Sequence, residues 1–358
     1  MSSVRKLSVK GFKSIQNLDN FELYNLNVLI GANGAGKSNF ISLFKLVNEI
    51  YESNLTSYVA VQGGPDTFLY GGRKISQSID MEFYFKNNGY HIDLVPTNDN
   101  RLIFGSEKSW FGGVFYPNSS SVELGHGHSE SLLKQAQDPY SPYVREAVSR
   151  WRVYHFHDTS DSSVIKRRHA SNDNLVLKPD AANLAPYLSM LSDKHPADYQ
   201  RIVDTIKFVL PFFGQFVHRD DDYVELEWTQ QGQPDTPFKA SMLSDGSLRF
   251  ICLATLLLQP EALLPSTILI DEPELGLHPY AISVLADIFK QTAESRQIII
   301  STQSVELVND MLPEDVIVVD QTDNGSTFTR YSQQDLGSWL EDYSLGELWK
   351  QNVLGGRP

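Results

Sequence analysis

The sequence predicts an α/β fold built on a parallel core sheet, and three observations carry that prediction. A buried-strand pattern at Leu26–Ile30 leads through a glycine-rich loop into a helical pattern at 39–51. Short Val/Ile-rich strands follow at 267–270, 297–301 and 316–319, and the first two flank a helical run at 280–292. Apolar strands that alternate with helices in this way are typical of parallel pairing.

The composition argues against several classes of protein, namely nucleic-acid-coating, disulfide-bonded and membrane-spanning proteins. The chain has 358 residues and a formal net charge of −14, which argues against coating nucleic acid through the overall field but leaves a local basic patch open. The single cysteine, Cys252, excludes a disulfide fold and indicates a reducing compartment, so we expect a cytoplasmic protein. The longest apolar run, 251–258, is far shorter than the roughly 20 residues that span a bilayer, so we expect no membrane segment.

The chain divides into three predicted segments, 1–130, 131–212 and 213–358. Residues 4–10 alternate like an edge strand, 52–78 are mostly loop, and an antiparallel meander is expected at 79–85, 90–95, 102–105 and 114–116. Helices are expected at 132–149, interrupted by two prolines, and at 181–191 and 197–210. No sustained heptad occurs, so the inserted segment is predicted to be a compact helical lobe and not a long coiled coil.

The glycine-rich loop is the most specific motif. It runs Gly31-Ala32-Asn33-Gly34-Ala35-Gly36-Lys37-Ser38, and Asn39 follows it. Glycines let backbone N–H groups approach phosphates closely, and the following helix directs its positive end at them. In such a P-loop, Lys37 reaches the β- and γ-phosphates and the Ser38 hydroxyl holds Mg²⁺. A chance match in a glycine-rich turn is disfavoured because a strand and a helix flank the loop.

A pair of carboxylates ends the strand at 267–270. Asp271 suits a metal-binding role, and Glu272 suits a general base that polarises the water attacking the γ-phosphate. The alternative is a solvent-exposed helix N-cap, helped by Pro273. The glycine loop makes the catalytic interpretation the stronger one.

The pentad Leu243-Ser244-Asp245-Gly246-Ser247 opens a strongly apolar helix at 247–258. The Ser244 hydroxyl, the Gly246 N–H and the helix start together make an anion site. An ordinary N-cap is the alternative. Order and spacing favour the anion site, because the pentad lies between the glycine loop and Asp271 and precedes Asp271 by about 27 residues.

These motifs, with the switch-like Ser301-Thr302-Gln303-Ser304, resemble in their order the ABC-type ATPase heads of the SMC and RecF group. The opening at 7–14 resembles the N-terminal strand pair of those heads. More narrowly, the chain resembles stand-alone bacterial RecF-like ATPases. The segments that carry this likeness are Tyr154-His155-Phe156-His157-Asp158-Thr159, 183–188 and 343–349.

The resemblance implies ATP and Mg²⁺ as cofactors and a homodimer that closes around ATP. In such a dimer, Ser244 and Gly246 of one chain complete the site of the other. It also implies that Lys13, or Ser14, touches the nucleotide, and that Gln303 takes the place of a γ-phosphate-sensing histidine. Glutamine hydrogen-bonds but carries no proton charge, so this departure concerns the rate and not ATP binding. The resemblance further implies a role in genome maintenance or in defence against phage or plasmids. The partner in that role is either DNA or an effector protein encoded by a neighbouring gene.

Several assignments stay open. Gln62 and Gln77 are both available as the glutamine that links nucleotide to the inserted lobe. His278 is either a structural turn residue or a direct participant. His155, His157 and Asp158 resemble a metal cluster, but a packed strand is favoured. The basic run 166–169 is either a solvated loop or a nucleic-acid contact.

Overall fold

The computed structural model describes residues 3–112 and 120–357. The predicted strand at 114–116 lies outside these ranges. The strands are β1 (Lys6–Phe12), β2 (Ile15–Glu22), β3 (Leu26–Ile30), β4 (Ile79–Tyr84), β5 (Asn88–Pro96), β6 (Leu102–Phe111), β7 (Ser120–Gly125), β8 (Trp151–Tyr154), β9 (His169–Ala170), β10 (Phe213–Val217), β11 (Tyr223–Val224), β12 (Glu227–Gln230), β13 (Gln233–Lys239), β14 (Thr267–Asp271), β15 (Gln297–Ser301), β16 (Val316–Thr322) and β17 (Gly325–Arg330).

The helices are α1 (Lys37–Tyr51), α2 (Leu55–Val61), α3 (Ser141–Val148), α4 (Leu184–Lys194), α5 (Pro196–Val209), α6 (Asp245–Leu258), α7 (Pro279–Ala293), α8 (Val305–Asn309), α9 (Gln333–Leu336), α10 (Trp339–Asp342) and α11 (Leu345–Lys350). The longest of these, α1 and α7, have 15 residues each, so the described chain contains no long coiled coil. None of the described helices is both long and apolar enough to cross a membrane.

Two six-stranded sheets dominate the α/β fold. One is antiparallel in the order β2-β1-β4-β5-β6-β7, and the other is mixed in the order β17-β16-β3-β15-β14-β8. In the mixed sheet, β16, β3, β15, β14 and β8 are parallel and β17 alone is antiparallel. The parallel strands therefore end at one edge of the sheet, where open α/β sheets bind ligands.

The mixed sheet separates two hydrophobic cores, because successive side chains of a strand point to opposite faces. Leu29, Leu269 and Ile299 pack with α1 and the antiparallel sheet. Their neighbours in sequence, such as Val28, Ile268 and Ile298, pack with the helices of the other half of the chain. Burial on both faces explains why these strands are continuously apolar instead of alternating.

Several predicted elements differ from the structure. The N-terminal strand is not an edge strand, because β2 pairs with its outer side and β4 with its inner side. Residues predicted as loop include α2. The predicted helix at 132–149 forms only at Ser141–Val148, since proline lacks an N–H and is accepted only in a first turn.

The segment predicted as a helical lobe, 131–212, holds α4 and α5 but also contributes a strand to the core. β8 pairs in parallel with β14 and closes that edge of the mixed sheet. The physical reason is that Trp151 and Tyr154 are fully buried, one in each hydrophobic core, which requires a strand at this position. The exact bounds of the three segments stay a prediction.

Candidate functional site

The glycine loop leaves β3 and enters α1 at the carboxyl edge of the mixed sheet. Gly36 is the N-cap of α1, has φ of 116°, and provides no side-chain cap for the first amides of the helix. A Cβ on Gly36 would lie 2.2 Å from the Ser326 hydroxyl, and a Cβ on Gly31 would lie 2.2 Å from the Val319 carbonyl oxygen. The glycines are therefore required by packing as well as by conformation. The open amides at the helix start fit a phosphate group.

Two serines far away in sequence hold this loop from outside. The Ser326 hydroxyl on β17 donates to the Ala35 carbonyl at 2.6 Å and lies 2.8 Å from the Ser14 hydroxyl. The Asn39 amide in turn donates to Ser14 at 2.8 Å. The loop conformation is thus fixed by the β1–β2 turn and by the β16–β17 hairpin before any phosphate binds.

Lys37 is buried, and its ammonium donates to the Gly31 and Ala32 carbonyls at 2.5 and 3.1 Å. Burial lowers the pKa of Lys37, and the nearby carboxylates of Glu272, Asp271 and Glu274 oppose this shift. Ser38 is exposed at the start of α1. The Lys37 ammonium is therefore close to the acidic strand end, and an exposed hydroxyl follows it in the chain.

The two predicted carboxylates lie at the end of β14, beside β15. The Ser301 hydroxyl donates to Asp271, and the Glu272 N–H donates to the Ser301 carbonyl at 2.9 Å. Glu272 has φ of 44°, in the left-handed region that non-glycine residues rarely adopt. Such strain persists only where surrounding contacts enforce it, and here it turns the Glu272 side chain out of the strand direction.

Gln303 joins the carboxylates. Its side-chain amide donates to Glu272, and its backbone N–H donates to Glu274 Oε1 at 2.8 Å. Burial raises the pKa of the Glu274 carboxyl, and the Gln303 N–H opposes that shift. Glu274 was not predicted as a site residue, because its position after Pro273 gives no signal until the 303 segment folds against it.

Ser244 and Gly246 occupy a different surface. Ser244 caps α6 by accepting a hydrogen bond from the Ser247 N–H at 3.2 Å. With Gly276 and His278 they line a cavity of about 170 Å³. Among the described residues, no hydrogen bond joins Ser244 or Gly246 to the glycine loop of the same chain. His278 caps α7 through its ring nitrogen, which accepts from the Tyr280 N–H at 3.3 Å.

The remaining predicted residues are more distant from this arrangement. The Lys13 ammonium lies over the rings of Phe12 and Phe68, at 5.7 and 5.6 Å from their centres, whereas the Ser14 hydroxyl accepts a hydrogen bond from the Asn39 amide at the start of α1. Gln62 ends α2 and Gln77 precedes β4; both are exposed. In the described chain, neither hydrogen-bonds to the glycine loop.

The histidine segment lies beyond the end of β8 and directly beside β14. His157 Nε2 is 2.9 Å from the Asp271 carbonyl oxygen, and the rings of His155 and His157 are 6.4 Å apart. Within the described ranges, no group of histidine, cysteine and acidic side chains is arranged to hold a metal ion. The segment that resembled a metal cluster therefore braces the acidic strand end.

The basic run is largely occupied by contacts within the chain. The Lys166 side chain is only 8% exposed and pairs with Asp161 at 3.6 Å. Arg167 donates to the Ser162 carbonyl at 2.8 Å, and Arg168 donates to the Tyr223 carbonyl at 2.6 Å. The two arginines are nevertheless exposed at the surface.

Comparisons with known proteins support the fold. The structure resembles an SMC head bound to the C-terminal winged-helix domain of ScpA, with a TM-score of 0.61, 14% identity, and coverage of 94% of this chain and 99% of the other. It also resembles an Smc head with an extended coiled coil bound to the C-terminal domain of ScpA, derived from Pyrococcus furiosus. In that case the TM-score is 0.56 and the identity 15%, with coverage of 96% and 99%. No curated protein matches the sequence.

A family model described as "AAA domain, putative AbiEii toxin, Type IV TA system" matches residues 26–309, which include the glycine loop, the pentad at 243–247, the acidic pair and Gln303. The fold is that of SMC heads, a P-loop nucleotide-binding fold of the ABC type. The match covers more than half of the chain, so the chain belongs to this AAA-domain family.

Proposed function

We propose that the protein hydrolyses ATP with Mg²⁺ at two composite sites of a homodimer. One observation carries the proposal: Lys37, Asp271, Glu272 and Gln303 converge at one sheet edge, while Ser244 and Gly246 open onto a separate cavity. The Ser244 cavity is lined by no residue of the glycine loop of the same chain. A second copy that turns its α6 toward this sheet edge supplies the missing half of each site.

Within one chain, different residues bind the triphosphate and the metal ion. The open amides of the glycine loop and the buried Lys37 bind and orient the triphosphate. Ser38 and Asp271 would hold Mg²⁺, which supplies positive charge to the β- and γ-phosphates. The fit is supported by the exposed Ser38 hydroxyl and by Ser301, which orients the Asp271 carboxylate.

Glu272 is the proposed general base for the attacking water. The Gln303 amide donates to Glu272 Oε1, which leaves the other carboxylate oxygen free to accept a proton from water. Gln303 cannot itself take up that proton. Its proposed role is therefore to orient the base. The site is complete only when the second chain closes on the γ-phosphate.

Mixing two inactive variants tests the shared site. Lys37→Ala removes the phosphate-binding cation, and Ser244→Arg fills the anion site of α6, so each protein alone should lose ATP hydrolysis. In an equimolar mixture, random pairing gives about half mixed dimers, and each of these retains one site built from intact parts. We expect roughly a quarter of the native rate, measured as phosphate release.

The matched control is a mixture of Lys37→Ala with Glu272→Gln, which damages the same half of the site in both chains. No mixed dimer then has an intact site, so no activity should return. Activity of Ser244→Arg alone at the native rate would contradict the shared site.

We propose that closure of the dimer controls an action on DNA. The alternative is that it controls an effector protein. Exposure of Arg167 and Arg168 supports a phosphate-backbone contact. Two observations support an effector instead. The net charge is −14, and the solved SMC heads of similar fold are bound to a domain of ScpA.

Duplex DNA separates these two outputs. A DNA-gated protein should bind duplex only with ATP, lose affinity steeply as salt rises, and weaken when Arg167 and Arg168 are both changed to glutamine. Arg219→Gln, at an arginine paired with Glu227, is the matched control. Fluorescence anisotropy at two salt concentrations measures this, and a failure to bind duplex DNA either with or without ATP would favour the effector.

A further inference from the structure

Arg249 is a buried arginine on α6, five residues after Ser244, and it is only 6% exposed. Its Nε donates to the Phe156 carbonyl at 2.9 Å, and its Nη2 donates to the His157 carbonyl at 3.1 Å. Among the described residues, no carboxylate lies within ion-pair distance. Burial lowers the pKa of Arg249, and Asp245 in the first turn of α6 opposes the shift. Burying a cation without a paired carboxylate costs free energy, so the two hydrogen bonds to carbonyls are needed to hold the guanidinium in place.

The segment 156–157, which accepts both hydrogen bonds from Arg249, also hydrogen-bonds to the end of β14. The His157 Nε2 lies 2.9 Å from the Asp271 carbonyl oxygen. Since a carbonyl oxygen only accepts, this ring nitrogen carries the proton and donates. The 156–157 segment therefore connects Asp271, through one imidazole and one guanidinium, to the helix that begins at Ser244.

A second path joins the same two places. Gly246 packs so tightly on the turn after Glu272 that an added Cβ would lie 2.1 Å from the Gly276 carbonyl oxygen. A Cβ on Gly276 would lie 3.2 Å from Nη1 of Arg249. The guanidinium thus contacts the histidine segment, which hydrogen-bonds to the Asp271 carbonyl, and lies close to the Gly276 turn, which follows Asp271 in the chain.

We propose that His157 and Arg249 are positioning residues that transmit occupancy of a chain's own phosphate and metal site to its own Ser244 turn. Because Ser244 acts on the partner's nucleotide in the proposed function, on which this inference rests, the connection lets one site of the dimer influence the other. A shift of Asp271 on metal binding moves its carbonyl, the His157 ring follows, and Arg249 carries the displacement into α6. Hydrogen bonds join the carbonyls of Asp271, Phe156 and His157 to these two side chains, so a displacement at one contact is passed to the next.

Hydrogen exchange on the native chain tests this connection without hydrolysis or dimerisation. Mg·ADP fills the phosphate and metal site but lacks the γ-phosphate that the proposed sandwich requires. We expect it to change amide exchange at 246–250 by about fivefold or more, the lower end of ordinary coupling between sites. In His157→Leu and Arg249→Lys, that change should disappear while Mg·ADP affinity, measured by calorimetry, stays within about twofold.

Two further variants make the test specific. His157→Gln keeps a side-chain N–H donor and should restore the response that His157→Leu loses. Arg145→Lys is the matched control, since Arg145 also donates to backbone carbonyls, those of Leu133 and Ala136, but lies outside the site. It should leave the response unchanged.

The outcomes separate this inference from the proposed function. Failure of the native chain to bind Mg·ADP would overturn the proposed function itself. Normal binding with no change of exchange at 246–250, or a change that survives in both His157→Leu and Arg249→Lys, overturns the connection alone. Should Arg249→Lys fail to fold, the His157→Leu and His157→Gln pair decides the matter.

Discussion

Changing Glu272 to glutamine is expected to lower ATP hydrolysis by roughly 10²–10⁴-fold, the contribution of a positioned general base. The substitution keeps the size of the side chain and its hydrogen bond with Gln303 can re-form, but the amide cannot accept a proton from water. Lys37 and the glycine loop are untouched, so ATP affinity should be retained. Bound ATP then persists, and the proposed dimer should accumulate.

Single-turnover phosphate release and mass measured with ATP check both parts of this expectation. Glu294→Gln is the matched control, because Glu294 is an exposed carboxylate at the far end of α7. It should leave rate and mass unchanged. Hydrolysis at the native rate by the Glu272→Gln protein would assign the base elsewhere, and a monomer at saturating ATP would count against the sandwich.

Changing Gly246 to alanine is expected to reduce hydrolysis on the order of 10²-fold, the usual loss when a site group shifts by about 1 Å. The added Cβ would lie 2.1 Å from the backbone oxygen of Gly276, and backbone cannot move aside as a flexible side chain can. The Ser244 turn and the Gly276 turn must therefore separate. ATP affinity should stay near the native value, because the glycine loop lies outside this contact.

Rates of phosphate release, together with ATP affinity from calorimetry, measure the effect. Gly232→Ala is a control for losing a glycine far from the site: a Cβ at Gly232 meets no atom within 4 Å, and the strain that its φ of 81° imposes on alanine stays in the β12–β13 turn. A strong loss of ATP affinity in Gly246→Ala would mean that the Ser244 turn serves the nucleotide of its own chain. That result would remove the main argument for composite sites.

Comparison of the predicted and observed helices shows which local signals sufficed. The apolar spacing at 39–51 predicted α1, which begins two residues earlier at Lys37, and the run at 247–258 predicted α6, which begins at Asp245. In both cases the missed residues lack large apolar side chains and lie at the helix start, where periodicity gives no signal. Elements without strong apolar patterns, such as β2 and β17, were not predicted at all, since pairing with neighbours stabilises them.

The sequence by itself determined the α/β class, the phosphate loop at 31–38 and the carboxylates that end β14. These depend on contiguous residues, and backbone periodicity, glycine content and strand ends are local properties. Only the tertiary structure decided that Ser14 and Ser326 hold the loop, that Glu274 meets Gln303, and that His157 and Arg249 connect Asp271 with α6. Those partners are separated by 29 to 312 residues in the chain. Their meeting follows from the packing of whole sheets and helices, which no local pattern encodes.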